Sequence, residues 1–189
     1  MSFWWVYIQL GFEHITDSDG YDHMLFLLAL VAPFLWIRKK ALLWMVTAFT
    51  LGHSLTLALS VLDVFRMDPT LVETLIPVTI FLTAVFNLIA TKTNWKQQPA
   101  FQYAITAFFG LIHGLGFSTF FREMITDNLQ LVKALLAFNI GLEFGQIVIL
   151  SIIIGASFLL HRVCKIKAMY LNWLFSTLAA ILALGLLFE

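Results

Sequence analysis

The chain has 189 residues, 61% of them hydrophobic and 12% charged, with a mean hydropathy of +0.92 and a formal net charge of zero. A soluble domain carries about 25% charged residues, so a water-soluble fold is excluded and the class is an integral membrane protein. The one cysteine, Cys164, sits beside Arg162, Lys165 and Lys167 and excludes an internal disulfide or a thiolate cluster; no nucleic-acid partner is expected.

In chain order, residues 1–10 lack a basic start and a small-residue cleavage site, so they do not read as a removable signal peptide. The apolar run 3–12 is too short to cross a hydrocarbon core of about 30 Å. It reads as an interfacial or re-entrant segment, with Trp4, Trp5 and Tyr7 at headgroup depth. Residues 14–20 read as a polar loop, since Asp17, Ser18, Asp19 and Gly20 are turn formers. Six apolar spans follow, over 21–37, 41–64, 72–91, 101–121, 131–160 and 169–188. Pro77 bends the start of the third. The fifth is longer than one bilayer requires, so it tilts or projects. The expected fold is all-α: one domain of six transmembrane helices plus the short N-terminal segment.

Charge sets the expected orientation. Arg38, Lys39, Lys40, Lys92, Lys96, Arg162, Lys165 and Lys167 all follow spans one, three and five, with no acidic residue among them. The opposite loops and ends hold ten acids: Glu13, Asp17, Asp19, Asp22, Asp63, Asp68, Glu73, Glu123, Asp127 and Glu189. The positive-inside rule places the basic side in the cytoplasm and both termini outside.

The remaining acid, Glu143, lies within span five, and His53 and His113 lie within spans two and four. Each is twelve residues into its span, or roughly 18 Å at about 1.5 Å per residue, so the three are expected to share one level near the midplane. An Asp-like residue there costs about 2.5–3.5 kcal/mol on insertion scales, so such groups face the interior, pair, or bind something. His14, Asp22 and His23 are expected above that level, at the outer mouth. Carboxylate with imidazole is the donor set that borderline divalent metals prefer. The candidate ligands are therefore His14, Asp22, His23, His53, His113 and Glu143. Thr50, Asn139 and Gln146 are supporting polar groups; Asn139, Glu143 and Gln146 share one helix face. Glu13, Asp17 and Asp19 form a solvated acidic loop able to concentrate cations. His161, beside Arg162, reads as a surface residue.

Four stretches together resemble the HupE/UreJ family of bacterial multi-pass proteins, in particular its second branch. They are His14 with Gly20-Tyr21-Asp22-His23-Met24-Leu25-Phe26, then Phe49-Thr50-Leu51-Gly52-His53-Ser54, Phe109-Gly110-Leu111-Ile112-His113-Gly114, and Phe138-Asn139-Ile140-Gly141-Leu142-Glu143. The resemblance implies an inner-membrane nickel or cobalt permease, with metal handling by Asp22, His23, His53, His113 and Glu143. The separation of His14 from Asp22 by seven residues is wider than in the nickel/cobalt permeases proper. The leading expectation is transport of a divalent transition metal, Ni, Co or Zn, through the bundle, with no nucleotide-binding loop. The alternatives are a Zn-type intramembrane hydrolase with Glu143 as catalytic base, and a metal-free proton-coupled carrier.

Overall fold

The structure is a computed structural model that describes residues 2–18, 20–34, 39–93, 99–125 and 128–188. Within these it is all helix: α1 (Phe3–Thr16), α2 (Asp22–Val31), α3 (Lys39–Val61), α4 (Pro69–Thr93), α5 (Pro99–Met124), α6 (Leu131–Val163) and α7 (Ala168–Leu186), with 3-10 turns at Ala32–Phe34 and Asn128–Gln130. Five of them, α3 to α7, are long and apolar enough to cross a membrane. They cover the second to sixth expected spans. Of the charges used for orientation, Arg38, Lys96, Asp19, Asp127 and Glu189 lie outside the described residues.

The N-terminal part differs from expectation. The segment expected to be interfacial is a helix of 14 residues that takes in His14, Ile15 and Thr16, and it buries Tyr7, Gly11 and Ile15. Ser2 caps it by accepting from the Trp5 amide. The first expected span, 21–37, is helical only over the 10 residues of α2 before Pro33 lies in the 3-10 turn, and 35–38 lie outside the described residues. Proline supplies no amide donor to continue the helix. Asn87 of α4 donates to the carbonyl of Ala29 in the last turn of α2, at 2.7 Å.

Contacts fix the directions of these two helices. Tyr7 reaches the carbonyl of Met124 and packs on Phe121, and His14 stacks on Phe117. His23 then meets His113, and Phe26 meets Phe109. Thus α1 and α2 run one after the other down α5, in the sense opposite to it. At about 1.5 Å per residue they measure roughly 21 Å and 15 Å.

Two helix pairs hold the frame by the same device. A Cβ added at Gly11 would fall on the carbonyl oxygen of Phe138, and one at Gly141 on that of Ile8. A Cβ at Gly52 would fall on the carbonyl of Ala107, and one at Gly110 on that of Phe49. Each glycine therefore lies against the backbone three residues before its counterpart, in both the α1–α6 and the α3–α5 pair. Small residues let parallel helices approach backbone to backbone. Gly114 does the same against the carbonyl of His53, which brings the His53 and His113 segments together.

Candidate metal centre

His14, expected in a polar loop, joins His23, His53 and His113 in one cluster. The ring of His14 lies 4.6 Å from that of His23 and 5.5 Å from that of His53, between centroids. His23 lies 5.9 Å from His53 and 5.3 Å from His113. The expected separation into an outer set and a midplane set is corrected here. Because α1 descends beside α6 instead of lying on the surface, His14, Asp22 and His23 arrive at the level of His53 and His113.

Two overlapping groups of donors result. His14, His23 and His53 form one, and Asp22, His23 and His113 the other, each with its ligand atoms within 4.8 Å of one another. Donors around one tetrahedral ion with bonds of about 2.1 Å sit about 3.4 Å apart, so either group would draw closer around an ion. His23 is common to both.

The cluster is deeply buried. His53 and His113 are 0% exposed and His23 4%. Five imidazole nitrogens, Nε2 of His14, Nε2 of His23, both of His53 and Nδ1 of His113, are buried without a hydrogen-bond partner among the described residues. A buried polar group left unpaired costs about 1–3 kcal/mol, and a neutral imidazole offers one lone pair, so the four rings can supply up to four electron-pair donors at one place. The other nitrogens of two of these rings are tied. Asp22 lies 2.9 Å from Nδ1 of His23, and the Thr79 hydroxyl lies 3.1 Å from Nε2 of His113. A carboxylate on one imidazole nitrogen fixes the ring so that the other faces the ligand.

Aromatic rings close the cluster on both sides. Phe117 stacks on His14 at 3.9 Å, and Phe138 lies 6.0 Å from His53 and nearly parallel to it. On the opposite side Phe26 and Phe49 lie 5.1 and 5.2 Å from His113. Sequence reasoning did not single out Thr79, Phe26, Phe117 or Phe138 for this role. The only signal was the shared Phe-(three residues)-His spacing of Phe49 with His53 and Phe109 with His113.

The supporting polar groups stand apart from the imidazole cluster. Thr50 donates to Gln146 at 3.0 Å, and Ser54 donates to Asn139. These bonds join α3 to α6 beside His53. Glu143 lies on the same helix face, half-buried, and belongs to neither donor group. His161 is exposed at the end of α6, with Nδ1 2.8 Å from the carbonyl of Ile166.

Neither a curated protein nor a solved structure matches the chain significantly. A family model described as "HupE / UreJ protein" matches residues 2–188, a stretch that takes in α1 to α7 and every residue of the cluster. The chain belongs to the HupE/UreJ family.

Proposed function

We propose that the protein carries a divalent transition-metal ion, nickel or cobalt, across the membrane, and that the histidine cluster is the site the ion passes through. The reading rests above all on the five buried imidazole nitrogens without partners. A structural histidine core would pair its nitrogens with carbonyls or hydroxyls. Borderline metals take imidazole with a carboxylate, and Asp22 supplies the negative charge.

Passage is favoured over hydrolysis by the way α1 and α2 meet. Neither crosses a bilayer alone, but end to end they run the length of α5 and make the sixth crossing, broken between Thr16 and Asp22 beside the cluster. Discontinuous helices of this kind supply ion sites near the midplane of transporters. The two donor groups offer adjoining positions, one beside Phe117 and one beside Phe26, and His23 can hold the ion while its other ligands exchange. By the positive-inside rule the loop joining α6 to α7 faces the cytoplasm, and the end holding Asp63 and Met124 faces outward.

His53→Ala tests the reading directly. The variant inserts normally, loses metal from the purified protein by elemental analysis, and loses uptake of nickel or cobalt by cells. Metal content and uptake at wild-type levels would refute the site.

A further inference from the structure

We infer that the groove between α1 and α5 is the aqueous entrance to the cluster, with Glu13 and Asp17 as the carboxylates that capture the hydrated cation; the cation's identity rests on the transport reading. A cavity of about 580 Å³ lies there, lined among others by Glu13, His14, Asp17, Ser18, Phe117 and Phe120. Glu13, Asp17 and Ser18 are exposed, although α1 and the start of its following turn lie along the outer half of α5. Exposed polar backbone at membrane depth is tolerated where it lines water or is buried in protein, so the open cavity beside this turn is water-filled.

The cavity leads to one place. His14 lines it and also belongs to a donor group, with Nε2 buried and unpartnered. Directly behind it His23 is 4% exposed and His53 0%, each with an unpartnered nitrogen. His14, stacked on Phe117 at the cavity wall, lies 4.6 Å from His23 and 5.5 Å from His53 between ring centroids. Among the lining residues none is a lysine or arginine, so two carboxylates set the local potential and raise the concentration of cations. The Gln9 amide donates to Glu13 at 2.8 Å and steadies it. Carboxylate oxygens suit a still-hydrated ion, and the imidazoles beyond bind nickel or cobalt more strongly. The donor order therefore runs downhill from cavity to cluster.

The test uses Ser18→Cys in a Cys164→Ser chain, which leaves one thiol. A membrane-impermeant maleimide applied from outside labels it in intact spheroplasts, and external Ni²⁺ slows the labelling. In a separate measurement Glu13→Gln with Asp17→Asn raises the KM of nickel uptake several-fold at similar kcat, while metal content of the purified protein is kept. A thiol that reacts only after permeabilisation, or an unchanged KM, overturns the entrance. Absence of metal from the purified wild-type protein would instead overturn the transport reading, whatever the labelling gives.

Discussion

At the scale of single residues, Asp22 lies 2.9 Å from Nδ1 of His23 and belongs to the second candidate donor group; in the proposed site it would orient the ring and add the anionic donor. Loss of such a partner lowers metal affinity by about 10–100-fold. Asp22→Asn is therefore expected to weaken Ni²⁺ binding by that factor in a competition titration of the purified protein, with the fold kept. Glu143→Gln separates coordination from other roles. The variant should retain its bound metal, because Glu143 lies in neither group; metal loss would place the carboxylate in the coordination shell. The residue types were legible because imidazole and carboxylate are rare in apolar runs. Which of them meet was not. Asn139, Glu143 and Gln146 do share a face, but the first and last are engaged with Ser54 and Thr50, and that depends on how α6 is rotated against α3.

At the scale of elements, the reciprocal glycines decide how close the paired helices come. Overpacking a tight contact costs about 1–3 kcal/mol. Gly141→Ala would press on the carbonyl of Ile8 and Gly52→Ala on that of Ala107, and neither neighbour can yield without moving backbone. Both variants should melt lower in detergent. Gly185→Ala is the control: nothing lies within 4 Å of its added Cβ, and it should melt at or above the wild-type temperature. Small residues in an apolar run allow close approach, but the sequence does not say which partner each one meets. It could not pair Gly11 with Gly141, because α1 alone is too short and too polar at its end to be recognised as a bundle helix.

At the scale of the whole molecule, the proposed orientation rests on segregated charge. Arg162, Lys165 and Lys167 flank Cys164 at the junction of α6 and α7. In intact spheroplasts this cysteine should resist a membrane-impermeant maleimide and react once the membrane is permeabilised; reaction in intact spheroplasts would reverse the orientation. Five long helices frame the bundle, and the short pair fills it. In the proposed crossing by α1 and α2 the helix ends would lie at membrane depth, which is tolerated where protein or water surrounds them; α6 would supply the protein, and the inferred entrance beside Glu13 the water.

The apolar excess by itself determined that this chain lives in a bilayer, and the length of each run determined where the five long helices lie. Both follow from the cost of leaving peptide groups unpaired in hydrocarbon, which local sequence is enough to express. Only the tertiary structure decided where His14, Asp22 and His23 sit. A segment of 14 residues reads as a surface helix until a partner with glycines at matching positions gives it a place to descend. That partner lies more than a hundred residues further along the chain, beyond the reach of any local periodicity.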